Sequence, residues 1–186
     1  MLDGDDELQW ADAHLTPLGI EQARLASQVW KSAIDNGLQS PESYYCSPHM
    51  RCLETVYHTF SKLSESGHID PAYPFVPEVR ELIRETIGVH TCDRRSTKSE
   101  IEKYWKAEAE KGRGFKFVFE KGFKENDETW DSALRERDAA VDQRALLALD
   151  DIFSMDSAFF ISITAHSGLI AAMLRGISYG QQLLRR

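Results

Sequence analysis

Residues 157–168 read SAFFISITAHSG, and this stretch decides the fold. Its first half is a nearly continuous run of apolar residues, which is typical of a strand in a parallel sheet that is covered on both faces. The run ends at His166, and Ser167-Gly168 opens a helical pattern behind it. We therefore predict a buried strand that passes directly into a helix, with a polar side chain at the transition.

A second stretch, CSPHMRCLET at residues 46–55, repeats this arrangement nearer the N-terminus. It follows two tyrosines that form the end of a short strand-like segment. Ser47 is predicted to cap a helix that runs from about Pro48 to Leu63, because serine is a favoured cap and proline a favoured first helical residue.

The rest of the chain adds more helices and one weak strand. Thr16 and Gly37 are predicted to bound the first long helix. The pattern further predicts a strand-like piece around 74–76, a polar helix capped by Ser96 or Thr97, an exposed excursion over 112–128 and a long helix over about 129–153.

Strands that alternate with helices predict a three-layer α/β/α sandwich with a mainly parallel sheet. The length of the chain suits a single domain over residues 1–186. Ligands of such folds bind where strands end and helices begin, and both quoted stretches contain such a point. We therefore expect the two stretches to form one site.

Composition restricts the class of protein. The net charge of −8 argues against nucleic acid as a partner, because a phosphate backbone attracts a basic surface. Three cysteines without a C-x-x-C pair argue against a disulfide framework or a zinc knuckle, and they favour a reducing, cytoplasmic compartment. The acidic N-terminus does not resemble a signal peptide. The uncharged run over 157–174 is short for a membrane span and contains polar residues, so we expect no membrane partner.

The two stretches carry groups that suit an anion. The start of the helix after Ser47 presents free backbone N–H groups, and Arg51 lies one turn inside it. A guanidinium matches phosphate oxygens in pairs, although Arg51 could instead pair with Glu54 in an ordinary capped helix. His166 can donate to an anion at the next helix, and Gly168 would allow that anion a close approach. The alternative is a histidine that is satisfied within the core.

A third segment, RELIRETIGVHTCDRRS at residues 80–96, supplies carboxyl groups. Glu85, or Glu81 as the second choice, could be held protonated beside a dry anion site and act as a general acid. The alternative is a solvated charged segment. Cysteine and histidine in this segment also raise a metal site, but no second ligand cluster accompanies them, so we predict no metal.

Four motifs, LTPLGIEQA, SPHMRCLET, IRETIG and TAHSG, occur in an order and spacing that resembles the histidine phosphatase superfamily. The superfamily includes phosphoglycerate mutases and many phosphatases. A fifth stretch, GVHTCDRRS, resembles its fungal cytoplasmic branch, whose members are labelled phosphoglycerate mutase-like. The resemblance covers the chain from about Asp12 to Gly176.

The resemblance implies a mechanism. A histidine attacks phosphorus and forms a phosphohistidine, and water, or a second hydroxyl in mutases, then takes the phosphoryl group. It implies that Arg51 binds the phosphate, that His166 stabilises the transferring oxygens and that Glu85 protonates the leaving group. Ser47 and Gly168 are added as phosphate-binding candidates from their positions at the two helix starts. The implied ligand is a small phosphorylated metabolite or inorganic phosphate, with no metal or organic cofactor.

One motif of the superfamily has no counterpart. The nucleophilic histidine belongs to an Arg-His-Gly motif on the first strand, and no Arg-His pair occurs in the 186 residues. His14 is a conceivable but poor substitute, because it lies beside the cap of the first helix. We therefore expect impaired turnover, exposed strand edges and low stability in an N-terminally truncated domain. A phospho-ligand binder without catalysis and a mutase-like phosphotransferase are the alternatives.

Overall fold

The computed structural model describes residues 10–184, and the predicted absence of a signal peptide in residues 1–9 lies outside that range. The described residues form an α/β sandwich, as predicted. Its helices are α1 (Pro17–Asp35), α2 (Met50–Glu65), α3 (Lys98–Glu110), α4 (Asp138–Met155) and α5 (Ser167–Leu184). Its strands are β1 (Ser43–Cys46), β2 (Glu78–Val79), β3 (Val118–Phe119) and β4 (Ile161–Thr164).

The described strands form one parallel sheet in the order β3-β2-β1-β4. Side chains of β1 alternate between its two faces, as a pleated strand requires. Tyr44 and Cys46 pack with α2 and α3 in one buried cluster, whereas Tyr45 packs with α4 and α5 in another. The sheet therefore lies between two helical layers, each with its own apolar core.

Three helix ends follow the predicted cap chemistry. The Thr16 hydroxyl accepts a hydrogen bond from the amide of Gly19 at the start of α1. Thr97, not Ser96, caps α3, and Thr97 and Glu100 form a reciprocal capping box. Gly37 follows α1 with a φ of 95°, a conformation that glycine adopts without strain.

Three of the predicted elements are wrong in place or kind. The segment over 112–128 is not an exposed excursion, because β3 joins the sheet and its phenylalanines pack against the core of α2 and α3. The strand expected around 74–76 lies at β2. The long helix begins at Asp138, and the residues before it are irregular.

The strand β4 is present, but the prediction that both its faces are buried is wrong. All four of its residues are half-buried, and among the described strands β4 pairs only with β1. It is an outer strand, and Phe159 just before it is 90% exposed. No helix within residues 10–184 is both long and apolar enough to cross a membrane.

Candidate functional site

The parallel register of β1 and β4 brings the two quoted stretches together. Cys46 and Thr164, the last residues of the two strands, are register partners, and the amide of Ser47 donates to the Thr164 carbonyl at 2.9 Å. Just beyond these strand ends, the Ser47 hydroxyl lies 2.9 Å from His166 Nε2. Residues from the two stretches are therefore in direct contact at the carboxyl edge of the sheet.

The prediction that Ser47 caps the second helix is wrong. That helix, α2, begins at Met50, and His49 is at the cap position. Ser47 and Pro48 therefore lie before the helix. The Ser47 hydroxyl contacts two histidines instead, His166 and His49 Nδ1 at 3.2 Å. The start of α2 is capped instead by a residue distant in sequence: the buried carboxylate of Asp12 accepts a hydrogen bond from the Met50 amide at 2.8 Å.

Arg51 lies on the first turn of α2 and points toward the segment over 91–95. Its Nη1 donates to the carbonyl oxygen of Cys92 at 2.8 Å, and its Nη2 lies 3.7 Å from Asp93 Oδ1. The alternative pairing of Arg51 with Glu54 is not present, because Glu54 instead binds His14, the amide of Leu15 and the hydroxyl of Tyr104. About a fifth of the Arg51 side chain is exposed.

His166 is buried and neutral at neutral pH. Burial is the main cause that lowers the pKa of His166 to about 3, and the positive charges of Arg51, Arg144 and Arg84 lower it further. The charge of Arg51 thus disfavours protonation of His166, although the Arg51 guanidinium is bonded to the 91–95 segment. The thiol of Cys52 also lies 3.4 Å from His166 Nε2, and burial raises the pKa of that thiol to about 12.

Of the two candidate acids, Glu85 is the one beside His166. Its Oε2 lies 3.7 Å from His166 Nδ1, and its Oε1 accepts a hydrogen bond from the amide of Thr86 at 2.9 Å. Glu81 is engaged elsewhere, in ion pairs with Arg84 and Arg95.

Gly168 allows a close approach to its backbone, as expected, but in this structure the group that approaches is the protein's own Glu85 carboxylate. A Cβ atom at this position would lie 2.9 Å from Glu85 Oε1, which is inside van der Waals contact. The glycine therefore lets the Glu85 carboxylate rest against the start of α5. The first residues of α5 therefore lie next to both Glu85 and His166.

Two buried arginines support the site, and neither was among the site residues predicted from the sequence. Arg84 is wholly buried, forms an ion pair with Asp127 at 2.6 Å and donates to the carbonyl of Asp93. Arg144 donates to the carbonyls of Arg84 and Glu85 at 2.9 and 3.1 Å. Arg144 falls on the apolar face of α4 between Val141, Ala145 and Ala148, so a charge on a buried face was the signal available in the sequence.

His14, the conceivable substitute for the nucleophile, is part of a separate cluster. Its Nδ1 lies 2.7 Å from Glu54 Oε1, and its ring packs at 4.9 Å from that of Tyr104. The hydrogen bond to Glu54 raises the pKa of His14, although burial acts in the opposite direction.

The chain is similar to several fungal proteins. A probable phosphoglycerate mutase of Arthroderma benhamiae is 45% identical over 178 residues, which are 96% of this chain and 49% of that protein. The probable phosphoglycerate mutase PMU1 of Saccharomyces cerevisiae is 33% identical and is matched over 62% of its length. The phosphomutase-like protein 3 of Candida albicans is 33% identical and is matched over 48% of its length. The chain thus spans between about half and two thirds of these relatives.

A solved structure shares the fold. The ecdysone phosphate phosphatase of Bombyx mori, crystallised with tungstate, superimposes with a TM-score of 0.51 at 18% identity, and the match covers 88% of this chain and 56% of that one. No protein-family model matches the chain. The solved structure shows the shared fold, and the fungal relatives show that the chain belongs to the histidine phosphatase superfamily.

Proposed function

We propose that this chain binds the phosphoryl group of a small phosphorylated metabolite, or inorganic phosphate, where β1 and β4 end. The superfamily carries out phosphoryl transfer, which depends on positioning and charge stabilisation. In the longer protein that the relatives represent, we propose phosphatase-type transfer through a phosphohistidine. The proposed binding residues are Arg51 and Gly168, with Ser47 acting through its contact with His166, because its own amide already donates to Thr164. The proposed catalytic residues are His166 and Glu85.

The observation that carries this proposal is the positive charge around His166. Three guanidinium groups lower the pKa of this histidine, and two of them have close carboxylate partners. Arg84 pairs with Asp127, and Arg144 with Glu136, each at 2.6 Å. Arg51 reaches its carboxylate only at 3.7 Å and is partly exposed. It is therefore the guanidinium best able to turn its two N–H groups toward an incoming phosphate.

The other groups suit the remaining roles. His166 Nε2–H can be shared between the Ser47 hydroxyl and a phosphoryl oxygen. Glu85 lies against both His166 and the start of α5, so a proton on its carboxyl could pass to the leaving oxygen. The N-termini of α2 and α5 point to the same edge and favour an anion there.

A second candidate function is phosphate binding without turnover. The absence of an Arg-His pair from the 186 residues favours it, because the histidine that would attack phosphorus has no counterpart. Removing a covalent nucleophile normally removes most of the rate and leaves the binding groups in place. We propose that this polypeptide, as it stands, is impaired in catalysis in this way.

Two measurements on the same protein separate the candidates. Hydrolysis of p-nitrophenyl phosphate reports turnover, and calorimetry with inorganic phosphate reports binding. We expect binding with little or no turnover, and we expect Arg51→Ala to weaken binding by roughly 10- to 100-fold, because it removes charged hydrogen bonds. Arg24→Ala, an exposed arginine on α1, is the matched control and should leave the affinity unchanged.

Each result has a defined meaning. Turnover that is lost in Arg51→Ala and His166→Ala would support an intact phosphatase over the non-catalytic binder. Equal affinities for the wild-type chain, Arg51→Ala and Arg24→Ala would contradict the proposed phosphate site.

A further inference from the structure

A continuous chain of hydrogen-bonding groups runs from the backbone of the 91–95 segment to His166. It consists of the Asp93 carbonyl, the His49 ring, the Ser47 hydroxyl and the His166 ring, and we refer to it as the histidine relay. Ser47 and His49 are completely buried and His166 is 7% exposed, so water does not compete for these bonds. Each group in the relay can donate or accept only a limited number of hydrogen bonds. The role of the group at one end therefore determines the donor and acceptor roles of the others.

The direction is set at the Asp93 end. His49 Nε2 lies 3.1 Å from the Asp93 carbonyl oxygen, which can only accept, so Nε2 carries the hydrogen. Burial is the main cause that holds the pKa of His49 well below its ordinary value, and the nearby positive charges of Arg51 and Arg84 act in the same direction. The ring is therefore neutral, and its Nδ1 presents a lone pair.

Ser47 passes this direction on. Its single hydroxyl hydrogen is donated to the His49 Nδ1 lone pair at 3.2 Å, so its oxygen is left to accept. Two donors lie near that oxygen, His166 Nε2 at 2.9 Å and the Cys52 thiol, and the thiol is the weaker donor. His166 therefore carries its hydrogen on Nε2, and the Cys52 sulfur at 3.4 Å is a second, weaker acceptor beside the same atom.

We propose that His49 and Ser47 are positioning residues that hold His166 as the Nε2–H tautomer and turn its Nδ1 lone pair toward Glu85. Glu85 Oε2 lies 3.7 Å from His166 Nδ1, and the absence of a Cβ atom at Gly168 leaves room for the Glu85 carboxyl to move closer. When the Glu85 carboxyl carries a hydrogen, the Nδ1 lone pair can accept it. That hydrogen is the one that Glu85 would give to a leaving oxygen.

This inference deepens the proposed function, and its consequence for proton transfer rests on that function. The tautomer of His166 does not rest on it, because the tautomer can be measured in the absence of any phosphate. A failure of phosphate binding would therefore leave the relay untouched, and a wrong tautomer would leave phosphate binding untouched. The two proposals can fail separately.

The experiment is long-range 1H–15N correlation spectroscopy on the full chain with 15N-labelled histidine, with the His166 signals assigned by their loss in His166→Gln. We expect a protonated Nε2 and an unprotonated Nδ1 in His166 throughout the range from about pH 5.5 to pH 8, because the ring stays neutral there. A protonated Nδ1 with a bare Nε2 in the wild-type chain would overturn the proposal.

Variants test the route. Ser47→Ala and His49→Phe interrupt the relay, and we expect His166 to become a mixture of tautomers in both. His49→Asn should restore the single tautomer, because the asparagine oxygen can accept from Ser47 in place of Nδ1. Cys52→Ala, which removes the other neighbour of Nε2, is the matched control and should leave the tautomer unchanged.

The outcomes are decisive in both directions. If Ser47→Ala keeps a native amide spectrum and a single Nε2–H tautomer, Ser47 does not position His166 and the proposal is wrong. If Ser47→Ala fails to fold, the wild-type tautomer and the contrast between His49→Phe and His49→Asn decide the matter alone.

Discussion

Ser47 and His166 are 119 positions apart, and a hydrogen bond of 2.9 Å joins them at the carboxyl edge of the sheet. The bond exists because β1 and β4 are parallel neighbours whose last residues are register partners. The ends of β1 and β4 are far apart in the sequence, and they nevertheless contribute side chains to one polar cluster. The burial of His166, its neutrality and its contact with Glu85 all follow from that placement.

The buried histidines predict acid sensitivity. The unfolded chain binds a proton on His166 near pH 6.5, whereas the folded chain binds it only near its pKa of about 3. Between these values the unfolded state holds more protons, so the free energy of unfolding should fall as the pH falls. Urea unfolding at pH 7 and pH 5 measures the effect. His166→Gln should reduce the difference, whereas His68→Gln, outside the site, should leave it in place, and equal slopes in all three proteins would contradict this explanation.

The pair of His14 and Glu54 predicts the opposite trend on the alkaline side. The hydrogen bond to Glu54 raises the pKa of His14, so its stabilisation is complete below about 6.5 and is lost as the pH rises through the raised value. Melting temperatures from pH 6 to pH 9 should fall in the wild-type chain and should fall less in His14→Gln. Tyr104→Phe keeps the ion pair and should retain the wild-type trend; a flat profile there would count against the assignment.

The contact between Gly168 and Glu85 can be tested by a double-mutant cycle. A Cβ atom at residue 168 would meet Glu85 Oε1 at 2.9 Å, and the end of a flexible side chain can move away. We expect Gly168→Ala to cost about 1 kcal/mol or less in stability and to displace the Glu85 carboxyl from His166. In a Glu85→Ala background the same substitution should cost nothing. An equal cost in both backgrounds would show that the two residues are not coupled.

The outer edge of β4 predicts low stability and self-association. Among the described strands β4 pairs on one side only, and residues 159–164, FFISIT, carry no charge. We expect a broad melting transition at low temperature and light scattering that rises with concentration. Phe159→Lys should lower the scattering without a loss of stability, because Phe159 is almost fully exposed. Val118→Lys on β3, the strand at the opposite edge of the described sheet, is the control for a lysine on an outer strand. A sharp high-temperature melting transition of the wild-type chain would contradict the expected low stability.

Local signals in the sequence were sufficient for much of the fold. The cap at Thr16, a cap of α3 at Ser96 or Thr97 and the strand-to-helix transition at His166 depend on neighbouring residues, so the pattern alone predicts them. The packing of the segment over 112–128 is not evident from the sequence, because its glycines and charges obscure an alternation of phenylalanines at 115, 117 and 119. That alternation has the period of a strand, and the structure places it against the core.

The remaining errors concern long-range partners. Ser47 has the residue type of a cap, and only the position of a histidine 119 residues away shows that its hydroxyl is used elsewhere. The ion pair of Arg84 and Asp127 likewise joins separate segments, and no spacing in the sequence indicates it. The apolar run before His166 predicts a strand but not its neighbours, so the outer position of β4 could not be read from it.

The most direct test of the proposed phosphate site is a crystal structure of the chain with tungstate, a tetrahedral analogue of phosphate. We predict one ion at the ends of β1 and β4, bonded by the Arg51 guanidinium after its release from the Cys92 carbonyl and lying within hydrogen-bond distance of His166. An ion bound elsewhere, with Arg51 still donating to Cys92 and no oxygen near His166, would contradict the proposal.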